Sequence, residues 1–325
     1  AAAFPLSVAT GGLPPLAKFA GGGFGIVEAG PDAMLPLTLR HVQADLAGAA
    51  TGGRVAIKRL DASSSDEELL RWIARLQQDE AAQWKTRDRS LLATEPDVRR
   101  AELPQLQGAE PRATEVVGIP LPQRGYHVVE VESRILGHAL LAARAPMFAR
   151  TGALVTNLGV HFKRGRSSSL VWVTTLDRGR PVAGARVAVN DCRGRPLWSG
   201  STDAQGLARI DRGFDDEFDE RCLSRQGHFV TARLGDDLSF VFGHWNRGIE
   251  PWRFGLPTAD GTTPDRRAHT VFDRTLLRAG ETVSMKHFLR LQTAGGLAAM
   301  DPARLPDRVT IVHEGSDESF TQPLQ

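Results

Sequence analysis

The sequence predicts an all-β protein made of tandem antiparallel β-sandwich domains, one of which carries an inserted helix. Apolar residues recur at every second position in short stretches, at Val171 and Val173 and again at Val187 and Val189. Turns rich in glycine and aspartate separate these stretches, as in Asp-Ala-Gln-Gly at 203–206. The 325 residues exceed what one sandwich core fills, so two or three domains are expected.

Composition argues against several classes of partner. The chain has 40 Lys and Arg residues against 38 Asp and Glu residues, and the two signs are interspersed. Neither nucleic-acid binding nor attachment to an anionic membrane is therefore indicated. No apolar run reaches the roughly 18 residues that a membrane helix needs, and no signal peptide is recognisable. An export signal or a lipid anchor would lie outside these residues.

The first sandwich is expected over residues 1–147. The glycine run at 21–25 is interpreted as a bulge or strand entry, because no Gly-Lys-Ser/Thr follows it to bind a phosphate. The stretches with strand character in this domain are Leu16–Glu28, Leu35–Val42, Arg54–Leu60, Thr114–Leu121 and Tyr126–Ile135.

One helix is predicted at about 65–82, inserted into the first sandwich. Ser65 and Glu68 have the spacing of a capping box, in which each side chain satisfies a free backbone amide of the first turn. Apolar residues then recur at Leu69, Trp72 and Leu76, which gives the helix one apolar face. We expect this face to lie across the side of a sandwich; binding of a separate partner is the alternative.

A short linker at 146–151 is expected to lead into a second sandwich at 152–248. Its last strands are predicted at His228–Leu234 and Leu238–Gly243. The acidic run at 215–220 lacks the spacing of a calcium-binding loop and is interpreted as a solvated loop.

A second linker, at 246–268, is expected to lead into a third sandwich that begins near residue 266 and is truncated at 325. Trp245 and Trp252 are large apolar side chains near this linker, so we expect both to pack at a domain junction. A platform that stacks sugars is the alternative for this pair. The last 60 residues are too few for a complete sandwich.

The two cysteines, Cys192 and Cys222, fall in the same predicted domain. This placement allows a disulfide in an oxidising compartment, and it equally allows two unrelated reduced thiols.

The sequence contains no recognisable catalytic constellation. Ser167–Ser169 has no nucleophile-elbow motif around it, and no His-Glu-x-x-His pair is present. We therefore predict a non-enzyme with no catalytic residue, no cofactor and no metal. The nine histidines occur singly, at His41, His127, His138, His161, His228, His244, His269, His287 and His313.

Residues 272–283 resemble the signature that opens a macroglobulin domain in the α2-macroglobulin family. Leu277 and Ala279 depart from it, because the family has Tyr and Pro there. Residues 179–206 are similar to the preceding domain of the bacterial branch, and 15–42 and 121–126 also resemble that branch. The signature positions that match are Asp273, Arg274, Arg278, Gly280 and Glu281.

The resemblance implies sandwiches of the macroglobulin or fibronectin-III type that form a structural part of a broad-spectrum protease inhibitor. In that family a protease cuts a bait segment and the domains rearrange to trap it. Some members also carry a reactive thioester, which requires Cys-x-x-Gln. Neither Cys192 nor Cys222 begins such a motif, so a thioester and a bait would lie elsewhere in the parent protein.

The resemblance also sets the expected partners and location. Proteases would be bound through other parts of the parent, and this chain alone would be monomeric. The parent would be periplasmic, either free or held as an inner-membrane lipoprotein through an anchor outside these residues. Two other functions stay open: a modular surface adhesin or carbohydrate-binding sandwich array, and an accessory region of an extracytoplasmic enzyme.

Overall fold

The computed structural model describes 12–42, 46, 54–82, 87–101, 103, 114–165, 167–215, 219–245, 266–276, 278, 280–293 and 296–324. The chain forms two compact units, 1–247 and 248–325. The strands of the first unit are β1 (Leu16–Phe19), β2 (Phe24–Glu28), β3 (Met34–Arg40), β4 (Val55–Leu60), β5 (Val98–Ala101), β6 (Thr114–Pro120), β7 (Gly125–Ser133), β8 (Met147–Thr156), β9 (Leu158–Arg164), β10 (Ser169–Thr175), β11 (Arg186–Asn190), β12 (Pro196–Ser201), β13 (Leu207–Ile210), β14 (Phe229–Leu234) and β15 (Asp237–Phe242).

The first sandwich consists of a three-stranded sheet, β1-β3-β6, and a five-stranded sheet, β2-β8-β7-β4-β5. Its core joins Leu37 and Ile119 of the smaller sheet to Ile57, Val129 and Val155 of the larger one. These residues lie on alternate positions of their strands, so the period-two pattern correctly placed one buried face. The all-β sandwich class predicted from the sequence is thereby confirmed, with one exception in strand direction.

The exception is β2, which pairs with β8 in parallel from Phe24↔Gly152 to Glu28↔Thr156. The chain passes through most of the sandwich between these two strands, so no hairpin turn forces them to run antiparallel. Every other strand pair in this sandwich is antiparallel among the described residues.

The linker predicted at 146–151 is wrong. Residues 147–156 form β8, which pairs with β7 from Ser133↔Met147 to Gly125↔Val155. Both faces of β8 are largely buried, so its sequence lacks the alternation of a half-exposed strand. Arg150, within this strand, is buried in a group of ion pairs.

The second sandwich consists of the sheets β13-β10-β9 and β12-β11-β14-β15. Its core contains Val171 and Val173 from one sheet and Val187, Val189 and Val230 from the other, as the alternating pattern predicts. The hairpin between β14 and β15 is also as predicted, with a left-handed glycine in its turn at 234–237.

Two helices occur in the described part of the first unit. The predicted helix, α1 (Asp66–Ala81), begins as expected, since the Ser65 hydroxyl accepts a hydrogen bond of 3.1 Å from the Glu68 amide. The short α2 (Arg134–Leu140) was not predicted. Its first residues were assigned to the preceding strand, which in fact ends at Ser133.

A third apolar core lies between the two sandwiches, and α1 forms part of it. The helix contributes Leu69 and Ile73, the large sheet of the first sandwich contributes Leu154, and the second sandwich contributes Phe229 and Phe240. The large sheet of the first sandwich is therefore covered on both faces. The apolar stripe of α1 does lie on a sandwich, as predicted, and the second sandwich adjoins the same core.

The second unit contains a three-stranded sheet, β16-β17-β18, and a two-stranded sheet, β19-β20, with a short 3-10 helix at Pro302–Arg304. Among its described residues, Met300 is the single buried side chain. The strands are β16 (Arg266–Phe272), β17 (Met285–Thr293), β18 (Gly296–Ala299), β19 (Arg308–Val312) and β20 (Ser319–Pro323). No helix in the described part of the chain is long and apolar enough to cross a membrane.

Candidate functional site

Candidate metal ligands are dispersed over the part of the chain that the structure describes. No three His, Cys, Asp or Glu side chains there are placed to hold a metal ion. His127 is buried, and its Nδ1 lies 3.1 Å from the carbonyl oxygen of Gly125. Burial lowers the pKa of His127 to about 4, so the ring is neutral at physiological pH. This histidine belongs to the interior of the first sandwich.

Cys192 and Cys222 are joined by a disulfide, with their Cα atoms 5.0 Å apart. The bond ties the turn after β11 to the segment that precedes β14. The carbonyl oxygen of Cys192 accepts a hydrogen bond of 2.9 Å from the amide of Leu223, so backbone and side chains hold the same two segments together.

The turn that carries Cys192 is built around Asp191. The Asp191 carboxylate accepts hydrogen bonds from the backbone amides of Arg193 (2.8 Å) and Arg195 (3.0 Å). Burial acts to raise the pKa of Asp191, but these amides and the Arg195 guanidinium lower it below its usual value. The turn is thus held by an ionised carboxylate next to the disulfide.

A cavity of about 700 Å³ adjoins the disulfide. Its charged lining is balanced between the two signs, and Arg193 and Arg195 pair with Asp219 and Asp191 of the same lining. Among the described residues of this lining, three carboxylates therefore face three guanidinium groups. The charged residues that line it, besides His228, are Asp191, Arg193, Arg195, Arg212, Asp215 and Asp219.

The most extensively connected site is the junction between the two sandwiches. Six aromatic rings from both sides pack together there, and we call them the junction aromatic cluster: Phe24, Tyr126, Phe229, Phe240, Phe242 and Trp245. Phe24 in β2 lies 5.5 Å from Phe240 in β15 and 5.3 Å from Trp245, between ring centroids. The prediction that Trp245 packs at a domain junction is confirmed, and Trp252 lies outside the described residues.

Asp66, the first residue of α1, anchors the helix to the second sandwich. Its carboxylate accepts hydrogen bonds from Asn190 Nδ2 (2.8 Å) and Thr231 Oγ1 (3.0 Å), and it pairs with Arg233 at 2.6 Å. Arg233 also donates to the Ser64 carbonyl at 2.9 Å. An acidic residue at a helix N-terminus is favourable in itself, and here it also joins the two sandwiches.

Asp237, at the start of β15, forms a second anchor. Its carboxylate accepts hydrogen bonds from the Thr156 hydroxyl (2.6 Å) and from the Asn157 amide (3.0 Å). Arg124 of the first sandwich pairs with the neighbouring Asp236 at 2.8 Å. The β14–β15 turn is thereby fixed to the point where the chain passes from one sandwich to the next.

A buried ion triad ties α1 and the following segment to the first sandwich. Arg150 pairs with Asp79 of α1 and, at 2.9 Å, with Glu130 of β7; all three side chains are almost fully buried. The guanidinium also donates to the Arg89 carbonyl, and Glu130 accepts the Leu91 amide at 2.9 Å. Two carboxylates share one guanidinium, and the backbone amide of Leu91 adds a further donor to Glu130, so the triad acts as an internal tie.

The structure brings the residues of the family signature together in the turn between β16 and β17. The Glu281 amide donates to the Arg278 carbonyl at 3.1 Å, and the Glu281 carboxylate accepts the Arg278 amide at 3.0 Å. Arg274 lies 3.4 Å from Asp273 and 3.7 Å from Glu281. Gly280 has φ of 86°, the left-handed value expected at the third position of a type II turn.

Sequence reasoning missed the polar residues that hold the junction. Asp66 was placed in the first turn of the helix, but its contacts with Asn190 and Thr231 span 124 and 165 residues. Asp237 was placed only in a hairpin turn. The sequence signal was weak, because β7 and β8 are buried on both faces and yet contain polar residues such as Glu130 and Arg150.

These features define a protein of consecutive β-sandwiches, tied by internal contacts and built without a catalytic grouping in its described residues. Residues 155–261 match the family described as the bacterial alpha-2-macroglobulin MG3 domain. The resemblance drawn from the sequence is thereby confirmed for these residues. No curated protein sequence matches the chain.

Solved structures of one relative, alpha-2-macroglobulin from Escherichia coli, are similar to this chain. A crystal structure spanning domains MG0-NIE-MG1 is 18% identical with a TM-score of 0.45, over 73% of this chain and 66% of that one. A crystal structure spanning NIE-MG1 is 17% identical with a TM-score of 0.46, over 71% of this chain and 97% of that one. A cryo-EM reconstruction of the native protein is 16% identical with a TM-score of 0.41, over 96% of this chain and 18% of that one. This chain thus spans under a fifth of the native protein.

Proposed function

We propose that this chain is a structural scaffold portion of a bacterial alpha-2-macroglobulin-like broad-spectrum protease inhibitor. The observation that carries the proposal is the family match over residues 155–261. The signature turn around Gly280, in a part of the chain outside that match, adds local support.

Three macroglobulin-like domains are proposed for the chain. We propose the first at 12–156 and the second at 157–245, in place of 1–147 and 152–248; the sheet composition and the separate cores support these bounds. The family match begins at residue 155, close to this revised boundary. The third domain is proposed to begin near 266 and to extend to the end of the sequence at 325 or beyond.

The proposed role is mechanical and not catalytic. Both cysteines are occupied by the disulfide, so this chain supplies no thiol for a reactive thioester. Other parts of the parent would enclose the protease and block its access to substrates. This chain would hold the neighbouring domains of the parent at fixed positions.

We propose an extracytoplasmic location, in the periplasm. The disulfide supports it, because such bonds persist in oxidising compartments and are rare in the bacterial cytoplasm. The parent would be either free in the periplasm or held to the inner membrane by a lipid anchor outside these residues. This chain by itself would be a monomer.

The proposal is tested by incubating the full-length parent with proteases of differing specificity and separating the products on a gel. One discrete cleavage shared by all the proteases, together with loss of their activity on large substrates, is expected. This chain alone is the matched control and is expected to leave protease activity unchanged. Stoichiometric inhibition by this chain alone, or general degradation of the parent without inhibition, would contradict the proposal.

A further inference from the structure

We infer that the two sandwiches of the first unit form one cooperative and mechanically rigid body. If the proposed function holds, the domain movements of the protease trap take place outside residues 12–245. The inference rests on the proposed function for this consequence alone. Three independent features of the junction carry it: the third core, the two polar anchors and the absence of a linker.

The third core resembles the interior of a single domain. Contacts between domains of one chain are usually modest in area and rather polar, which allows the domains to move. Here Leu69 and Leu154 of the first sandwich and Phe229 of the second have no exposed surface. Separating the sandwiches would expose these side chains to water, at a cost of roughly 1.5–3 kcal/mol for each large apolar side chain.

The two polar anchors fix the orientation that the apolar core by itself leaves adjustable. Asp66 holds Asn190, Thr231 and Arg233 at the start of α1. Asp237 holds Thr156 and the Asn157 amide at the strand crossover. A rotation or slide of one sandwich on the other would leave the half-buried Asp66 carboxylate or the buried Asp237 carboxylate without its donors, which is costly.

The connection between the sandwiches has no flexible segment. Asn157 alone separates β8 from β9. Its amide is held by Asp237, its side-chain oxygen accepts the Asp177 amide at 3.0 Å, and its carbonyl accepts the Leu176 amide at 2.8 Å. A hinge requires residues whose backbone angles are free to change, and these bonds restrain the one residue available.

Hydrogen exchange of the full chain tests the cooperative part of the inference. Val173→Ala perturbs the core of the second sandwich without touching the junction. If the two sandwiches open as one body, the slowest amides of β4 and β7 should exchange about tenfold faster in the variant, as should those of β10 and β11. The matched control is Trp172→Phe on the solvent face of the same strand, which should change neither set by more than about twofold.

Acceleration confined to β10 and β11 would overturn the inference. Reduction of the disulfide provides a second perturbation of the second sandwich that involves no substitution, and it should accelerate exchange in β4 and β7 as well. These measurements involve no protease, so they can fail while the proposed inhibitor function stands, and the reverse is equally possible.

Spin labels test the rigid part of the inference. Labels at Val116→Cys in the first sandwich and Arg209→Cys in the second should give one narrow distance distribution in the full chain. The control pair, Lys163→Cys and Leu197→Cys, lies within the second sandwich and defines the width that a rigid body produces. A distribution between the sandwiches that is clearly broader than the control, or that has two maxima, would overturn the inference.

Discussion

Each sandwich of the first unit has to hold a long irregular connection against its edge, and the two do so by different chemistry. In the first sandwich, α1 and the segment after it are tied by the Arg150–Asp79–Glu130 triad. In the second, the connection between β13 and β14 is tied by the Cys192–Cys222 disulfide. The first tie depends on charge and burial and the second on redox state, so each sandwich should fail under a different stress.

The largest effect is expected from removing the cation of the triad. Arg150→Met removes the guanidinium that pairs with the buried carboxylates of Asp79 and Glu130, and this should lower the free energy of unfolding of the first sandwich by about 3–5 kcal/mol. Urea unfolding measures the change. Arg195→Met is the control, because the Arg195–Asp191 pair is largely exposed on the arginine side and should cost less than about 1 kcal/mol. Equal losses in the two variants would show that the triad is not a buried tie.

Loss of the disulfide should have a slightly smaller effect. Replacing Cys192 and Cys222 by Ser removes a link across 30 residues and should destabilise the second sandwich by about 3.5 kcal/mol in the chain-entropy description. Urea unfolding of the variant and of the reduced protein should agree. The unreduced protein, once denatured, should present no titratable thiol, and detection of two would contradict the pairing.

Lowering the pH should reduce the stability of the first sandwich through protonation of His127. Its pKa is about 4 in the folded protein and about 6.5 when unfolded, so the unfolded chain binds more protons between these values and stability falls as the pH falls through this window. The full contribution is about 3 kcal/mol. Unfolding free energies of the native protein and of His127→Asn, measured from pH 7 to pH 4, should converge by that amount. Parallel curves would show that folding does not lower the pKa of His127.

Two glycines with positive φ lie in turns that differ in the space around the glycine Cα. A Cβ at Gly206 in the second sandwich would lie 2.5 Å from the Val173 carbonyl oxygen, whereas one at Gly280 in the signature turn would meet no atom within 4 Å. Gly206→Ala should therefore cost about 2–3 kcal/mol and Gly280→Ala about 1 kcal/mol, since only the first adds a clash to the backbone strain. Hydrogen exchange near each turn measures both. A neutral Gly280→Ala would mean that φ is not positive there.

The sequence alone was enough to predict the elements whose two faces differ in burial. The alternation at Val171, Val173, Val187 and Val189 reports one buried and one exposed face, and the capping box at Ser65 reports a local hydrogen bond. β8 was missed because both of its faces are buried, which removes the alternation. A stripe of apolar residues on α1 predicts that something covers it but does not specify how many sheets do so.

The candidate site was predictable only where the choice of partners was small. With two cysteines in the chain there was a single possible pairing, and the signature turn is contiguous in sequence. Asp66 and Asp237 were not identifiable, because their partners are distant in sequence and an acidic residue at a helix start or in a turn has a sufficient local explanation. Their role follows only from the packing of one sandwich on the other.

The apolar face of α1 is buried by both sandwiches, and this has a consequence for how the chain folds as it emerges. The helix ends at residue 81, and β15, which helps to bury it, ends at residue 242. The apolar side of α1 therefore stays without that cover until about 160 further residues of the chain have emerged. Until then the first sandwich exposes an apolar surface to solvent. A chaperone that covers apolar helix faces would be most useful at this stage.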